Sequence, residues 1–144
     1  MEEACVFCDI VAGRSPASIV YKDEYCIAFM DICPINTGHL LVIPVNHATY
    51  LADLEPRVGA ALFVAGQKLA AAIRRSGLKA EGINLLLADG ETAGQEVFHV
   101  HLHVLPRFRG DGFGHRFPPQ YGQRPPRQQL DADAAAIRTS LGAA

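Results

Sequence analysis

Apolar residues recur along this chain at two spacings, which predict the strands and helices of one small domain. Short apolar runs bounded by turn residues predict five strands, over residues 19–21, 25–30, 39–45, 82–88 and 97–105. A spacing of three to four residues predicts a long helix over residues 54–76, with Pro56 in its first turn and Gly77 after its end. A short helical turn over residues 7–12 precedes these elements. Their order predicts an α+β fold.

The composition changes after residue 106, where the regular spacing ends. Residues 107–127 hold five arginines, four glycines and two pairs of prolines, which predict an irregular arm. The Ala-rich residues 130–141 then predict a short terminal helix. We therefore expect a domain over residues 1–108, followed by the arm and its helix over residues 109–144.

Charge is distributed unevenly along the chain. Residues 1–106 hold 7 Lys and Arg against 12 Asp and Glu, whereas residues 107–127 hold five Arg against a single Asp. The acidic body excludes a nucleic-acid-binding surface, and the basic arm is either an attractor for a small anionic ligand or a solvated tail. The longest apolar stretch, residues 58–66, is about half of a membrane span, and the N-terminus is acidic where a secretory signal is basic. We expect a soluble cytoplasmic protein.

Three histidines alternate with apolar residues in the run HVHLHVL, at His99, His101 and His103. In an extended strand successive side chains point to opposite faces, so the three imidazoles would share one face. Phe98 would lie on the other face with the apolar residues, against the long helix. Packing explains one histidine on such a face, but it does not explain a row of three.

Two chemistries can use this row. Either two or three imidazoles hold a catalytic metal, or one is a nucleophile whose neighbours fix its tautomer and supply protons. The preceding loop favours the nucleophile, because Gly90 and Gly94 allow close backbone approach and free amides there can hold a phosphoryl oxygen.

The four cysteines are not expected to form disulfides in a chain without a secretory signal. Cys26 and Cys33 are interpreted as small buried or loop residues. Cys5 and Cys8 form a C-x-x-C pair, which can offer two thiolates to one metal or act as a redox pair.

The chain resembles the histidine-triad family. HVHLHVL matches the family signature, in which three histidines alternate with apolar residues, at every position. The similarity continues upstream through AGQEVFHVHLH, NTGHLLVIPVNH, AFMDI and CVFCDIVAG, and covers about residues 4–108. The branch it resembles most is the bacterial, zinc-containing histidine-triad hydrolases. This resemblance implies a sheet of about five antiparallel strands with one long helix, and a homodimer.

The resemblance also implies catalytic roles. His101 matches the nucleophile that is transiently nucleotidylated at the α-phosphate, and His103 matches the histidine that bonds the phosphate region. His39 matches the upstream histidine that completes the polar network. Gln95 matches the side chain that holds the bridging or leaving-group oxygen.

Binding sites for a nucleotide and a metal follow from the same resemblance. Asp31 and Ile32 match the ribose and base pocket, where Asp31 would accept from the ribose hydroxyls. Phe7 and Leu41 would line the base, and Gly94 and the Glu96 amide would contact phosphate. The implied nucleotide-binding residues are Phe7, Asp31, Ile32, Leu41, Gly94, Gln95, Glu96, His101 and His103. The implied ligands of a structural zinc are Cys5, Cys8, His47 and His99, whose residue types suit a closed tetrahedral site.

The implied reaction is hydrolysis or transfer at the α-phosphate of a purine nucleotide, either a nucleoside phosphoramidate or a dinucleoside polyphosphate. Ala88 departs from the family pattern, since several members carry an amide side chain there. Arg107 and Arg109 follow the histidine strand directly, and our hypothesis is that they meet the distal part of a dinucleotide. The alternatives are a zinc-stabilised nucleotide-binding scaffold with little turnover, and a metal-hydrolase centre built on the triad itself.

Overall fold

The computed structural model describes residues 4–142. Its elements in chain order are α1 (Val6–Val11), β1 (Ile19–Lys22), β2 (Cys26–Met30), β3 (Leu40–Pro44), α2 (Pro56–Arg75), β4 (Gly82–Leu87), β5 (Leu102–Arg107) and α3 (Arg127–Leu141). Single 3₁₀ turns lie at Leu51–Asp53 and Glu91–Ala93. None of the described helices is long and apolar enough to cross a membrane.

The five strands form one antiparallel sheet in the order β1-β2-β3-β5-β4. This arrangement confirms the predicted α+β fold with about five antiparallel strands. Strands β3 and β5 are neighbours near the centre of the sheet, so residues far apart in the sequence meet there. Leu41 on β3 pairs with His103 on β5, which brings the upstream histidine segment beside the triad.

Apolar side chains cover both faces of the sheet. Helix α2 buries one face, and its buried residues are Leu62, Ala65, Gly66, Leu69 and Ile73. Gly66 allows this close packing, since a Cβ at that position would lie 3.1 Å from a methyl group of Leu102. On the opposite face Phe7 and Ile10 of α1 pack against alternate residues of β2 and β3. The sheet is thus held between α2 and α1, and the histidines lie on the α1 side.

The histidine segment differs from its prediction. A strand over residues 97–105 was expected, but β5 begins only at Leu102, so His99 and His101 precede it. The ladder between β3 and β5 ends at the pair of Val42 and Leu102. Beyond it, the carbonyl of Pro44 at the end of β3 accepts from the His99 ring, and the Val100 amide donates to the Ala48 carbonyl. Phe98 is also wrongly assigned, because it is 43% exposed and its ring meets that of Tyr50 edge-on.

The chain divides into two compact units, one ending at Phe113 and one beginning at Gly114. The first unit therefore extends five residues beyond the expected boundary at 108, because Asp111 bonds to Arg107 and Asn36. In the second unit α3 has no buried residue, and Phe117 stacks on Tyr121 with ring centroids 3.9 Å apart.

Candidate functional site

His101 is held by a backbone carbonyl that fixes its protonation. Its Nδ1 lies 2.7 Å from the carbonyl oxygen of His99, and the residue is only 7% exposed. A carbonyl oxygen accepts but cannot donate, so Nδ1 carries the proton of the neutral ring. The lone pair is therefore on Nε2, which is the atom required of a nitrogen nucleophile.

His39 and His103 form a hydrogen-bonded pair of imidazoles, the relay, whose protons lie on Nε2 and not on Nδ1 as in His101. The Ile35 amide donates to His39 Nδ1 over 3.1 Å, so the proton of His39 is on Nε2. That Nε2 lies 2.9 Å from His103 Nδ1 and donates to it. His103 must then carry its own proton on Nε2. His101 thus offers a lone pair and His103 offers a donor, with ring centroids 5.0 Å apart.

Asp31 completes a second group of possible metal ligands with these two histidines. One oxygen of Asp31 lies 3.6 Å from His39 Nε2, and the other accepts from the Cys33 amide. The relay leaves no lone pair on His39 Nε2, since that nitrogen carries the proton. The hydrogen bonds therefore favour a proton relay over a metal-hydrolase centre at the triad.

The relay histidines are neutral at physiological pH. Burial, together with nearby His101 and His39, lowers the pKa of His103 to about 4. Burial lowers the pKa of His39 as well, although Asp31 opposes this shift. A neutral His103 donates one hydrogen bond without the desolvation cost of a buried cation.

Acidification is expected to destabilise the fold between pH 7 and pH 5. His39 and His103 have lowered pKa values in the native state and return toward 6.5 on unfolding. The unfolded chain then binds more protons, so the free energy of unfolding falls as the pH falls through this window. Urea unfolding at several pH values measures the slope. In His103→Gln the slope of the unfolding free energy against pH should decrease by the equivalent of about one proton taken up on unfolding. A slope identical to that of the wild type would contradict the neutral relay.

The residues expected around the base lie in different environments. Phe7 and Leu41 are buried in the core beneath the triad, and the Phe7 ring meets His101 edge-on at 5.2 Å. Both therefore support the triad from below. Ile32, by contrast, is 92% exposed beside Asp31 and is free to contact a ligand.

Gln95 does not point an unused amide at the triad, unlike the role that the resemblance implies. Its Oε1 accepts from the Gly90 amide, and its Nε2 donates to the carbonyls of Thr49 and Val97. Both ends of the side chain are therefore occupied by backbone groups. Gln95 thus holds in place the loop over residues 89–95, the glycine loop. Gly94 ends the 3₁₀ turn in this loop with φ of +99°, a conformation that favours glycine.

A separate group of possible metal ligands, the metal cluster, consists of Cys5, Cys8, His47 and His99. His99 Nε2 donates to the Pro44 carbonyl over 2.9 Å, so its Nδ1 presents a lone pair to the cluster. His99 Nδ1 lies 3.5 Å from Cys5 Sγ, 3.6 Å from Cys8 Sγ and 3.1 Å from His47 Nδ1. Cys8 Sγ lies 3.3 Å from His47 Nδ1. All four donor atoms lie within 4.8 Å of one another.

These separations suit tetrahedral zinc. Zn–N bonds of about 2.05 Å and Zn–S bonds of about 2.3 Å give tetrahedral edges of about 3.3 Å between nitrogens and about 3.6 Å between nitrogen and sulfur. The observed distances differ from these edges by a few tenths of an ångström at most. A cavity of about 770 Å³ borders the two cysteines and His47, so an ion or a chelator can reach the cluster.

Arg107 is not available for the distal part of a substrate, which corrects our hypothesis for that residue. Its guanidinium bonds to both oxygens of Asp111, at 2.6 and 3.0 Å, and to Asn84 Oδ1 at 2.7 Å. Arg107 and further hydrogen bonds hold the pKa of Asp111 well below its usual range. Asp111 and Asn36 were not among the predicted site residues, because Asp111 lies beyond the expected domain boundary at 108 and the resemblance implies no role for Asn36.

Comparison with known proteins agrees with this geometry. The HIT domain model matches residues 12–110. Protein hit of Bacillus subtilis is 44% identical over 113 residues, which are 78% of this chain and 77% of the relative. Adenylylsulfatase HINT3 of Arabidopsis thaliana is 36% identical over 111 residues, covering 77% of this chain and 56% of the relative.

One of the similar solved structures is zinc-bound. The Zn-bound histidine triad family protein from Mycobacterium smegmatis superposes with a TM-score of 0.74 and is 41% identical, covering 95% of this chain and 97% of that protein. The family match spans more than half of the chain, and the relatives match over most of its length. The chain therefore belongs to the HIT domain family.

Proposed function

We propose that the protein catalyses hydrolysis or group transfer at the α-phosphate of a purine nucleotide substrate. The reaction would proceed through a covalent intermediate in which the nucleotidyl group is bonded to His101. The observation that carries this proposal is the 2.7 Å hydrogen bond from His101 Nδ1 to the His99 carbonyl, which leaves Nε2 as a nucleophile. Members of this family bind nucleotides, and the relative named adenylylsulfatase supports an adenylyl group as the transferred unit.

In the first step His101 Nε2 attacks the α-phosphorus in line with the leaving group. A P–N bond forms while the bond from phosphorus to the leaving group breaks. The leaving group departs with that electron pair and takes up a proton from solvent. The imidazole, bonded at Nε2 and still protonated at Nδ1, becomes cationic, and the His99 carbonyl stabilises its charge.

In the second step water attacks the same phosphorus. A P–O bond forms, the P–N bond breaks, and the electron pair returns to Nε2 of His101. The proton released by water passes to solvent, and the product is a nucleoside monophosphate. In both steps negative charge grows on the non-bridging oxygens, where the His103 Nε2–H and the backbone amide of Glu96 would donate. The Gly94 amide, which was expected to contact phosphate, already donates to the Glu91 carbonyl over 2.9 Å, so Gly94 contributes close backbone approach and not a donor.

Asp31 and Ile32 would contact the nucleoside, since both lie at the end of β2 beside the relay. Asp31 would accept from the ribose hydroxyls, and the exposed Ile32 would cover the base. The core residues Phe7 and Leu41 would complete the site from below. We assign Gln95 to positioning of the glycine loop, because its side-chain amide is already bonded to backbone groups.

Parallel rate measurements test the reaction and its substrate class. The full-length protein should cleave adenosine 5′-phosphoramidate, diadenosine tetraphosphate or both, and release AMP in each case. His115→Asn, at an exposed histidine of the second unit, serves as a matched control and should keep these rates. Nucleotide binding without turnover on either substrate would favour the alternative of a scaffold protein.

We propose further that Cys5, Cys8, His47 and His99 hold a structural zinc ion. When bound, zinc supplies a rigid tetrahedral anchor and takes no part in the reaction. His99 links the two sites, since its ring faces the cluster while its carbonyl orients His101. Metal content of the purified protein, measured by plasma mass spectrometry, should be about one zinc per chain.

A homodimer would bury the apolar surface that remains exposed on the first unit. Strand β4 is an edge of the sheet, and α2 exposes Phe63, at 54%, and Val64. We expect Phe63→Glu to shift the protein from dimer to monomer, because the change buries a charge at the interface. Light scattering after gel filtration measures the mass. Val20→Glu, on the opposite edge strand β1, should leave the dimer intact, and a Phe63→Glu dimer would contradict this interface.

A further inference from the structure

A partly buried ion pair lies at the end of β5, outside the residues proposed to meet a substrate. Arg107 binds both carboxylate oxygens of Asp111, whose side chain is 3% exposed. Asp111 also accepts from the amides of Phe108 and Phe113. Burying such a pair is costly unless its remaining hydrogen-bonding groups are satisfied, and here several partners satisfy Asp111.

Asn36 connects this ion pair to the segment that carries the relay. Its side-chain nitrogen donates to Asp111 Oδ2 over 2.8 Å and to the Pro106 carbonyl over 2.9 Å. Both hydrogens of the amide are thereby used, and the residue is buried. The turn that contains Asn36 is therefore fixed against the end of β5.

Backbone groups of Asn36 and of the preceding residue, Ile35, form hydrogen bonds with His39. The Asn36 carbonyl accepts from the His39 amide over 3.1 Å. The preceding residue, Ile35, donates its amide to His39 Nδ1, also over 3.1 Å. The turn fixed by Asn36 thus supplies the donor that decides which nitrogen of His39 carries the proton.

We propose that Asn36, Asp111 and Arg107 are positioning residues that set the proton positions of His39 and His103. The Ile35 amide keeps the His39 proton on Nε2, which in turn keeps the His103 proton on Nε2, facing the substrate. The effect on turnover rests on the proposed function, whereas the effect on the tautomers does not.

Loss of this control would reverse the polarity of the relay. With a proton on Nδ1, His39 would accept from His103 Nδ1, and His103 would present a lone pair to the phosphoryl oxygens. A donor to the developing negative charge would become a repelling acceptor. Removing one such donor costs about 100- to 1,000-fold in kcat, and kcat then falls in proportion to the fraction of molecules that keep it. A variant in which the reversed tautomers reach about nine-tenths of the population should therefore lose about tenfold in kcat.

Histidine tautomers are measured directly by NMR of the ¹⁵N-labelled, metal-loaded, full-length protein without substrate. In the wild type we expect Nε2–H forms of His39 and His103 and the Nδ1–H form of His101. In Asn36→Ala and Asp111→Asn the nitrogen shifts of His39 and His103 should move toward a mixture. His101 should not change in these variants, because its partner is the His99 carbonyl, and it serves as an internal reference.

Kinetics on the same samples give the second readout. Both variants should lose about tenfold in kcat with KM changed less than about twofold, since the His103 donor acts on charge that grows in the transition state. Asp9→Asn, which breaks the exposed ion pair of Asp9 with Arg14, is the matched control and should change neither readout.

Unchanged tautomers of His39 and His103 in folded variants would overturn the proposal. Arg107→Lys keeps the charge and loses the fork that grips both oxygens, so it provides a milder variant if Asn36→Ala or Asp111→Asn fails to fold. Shifted tautomers in a protein that never forms a nucleotidyl adduct would refute the proposed reaction while supporting the positioning role.

Discussion

Replacement of His101 with asparagine is expected to lower kcat at least about a thousandfold on any substrate that the wild type cleaves. Asparagine keeps the polarity and approximate size of the side chain and removes the nitrogen lone pair that attacks phosphorus. The binding groups, including Asp31 and the glycine loop, stay in place. Nucleotide affinity should therefore change less than about fivefold, as measured by calorimetry with a non-cleavable analogue.

The matched control for this variant is His115→Asn, which makes the same substitution at an exposed histidine of the second unit. It should keep wild-type rates and affinity. A His101→Asn protein that retains more than about a tenth of the wild-type kcat would show that another group performs the attack.

Removal of the proposed zinc is the second large effect that we expect. Cys8→Ser replaces a thiolate with a poor zinc ligand and should lower the metal content. The free energy of unfolding should then fall by about 3 kcal/mol, which corresponds to about 10 °C in Tm for a domain of this size. Thermal unfolding followed by circular dichroism, with metal content measured on the same samples, tests this expectation.

Cys33→Ser provides the control, because Cys33 is exposed and lies outside the cluster. It should keep both metal content and Tm. Activity of Cys8→Ser at low temperature should fall together with its metal content, since His99 orients His101 through its carbonyl. A Cys8→Ser protein with full zinc content and unchanged Tm would contradict the assigned ligands.

The spacing of apolar residues predicted much of the fold because this sheet is covered on both faces. Pro56 and Gly77 bound helix α2 as expected, since a proline suits a first turn and a glycine follows its end. The start of β5 could not be predicted in this way. It depends on the Pro44 carbonyl bonding to the His99 ring, a contact between residues 55 positions apart.

The family resemblance predicted that His39 lies with the triad and His47 with His99, whereas their proton positions came only from the structure. The tautomer of His39 depends on the Ile35 amide, and that of His101 depends on the His99 carbonyl. Backbone partners of this kind leave no mark in the side-chain pattern. Arg107 was misassigned for a related reason, because a basic residue after the triad suggests an anion site until its contact with Asp111 is seen.

The most direct measurement of the central claim is a trapping experiment at His101. The protein is mixed with substrate, quenched in alkali within the first turnover to preserve a P–N bond, and digested for mass spectrometry. We predict one nucleoside monophosphate unit on the peptide that contains residues 99–103, located at His101 and absent from His101→Asn. Turnover that proceeds with no nucleotide attached to His101 at any time, or with the nucleotide attached to His103, would contradict the account.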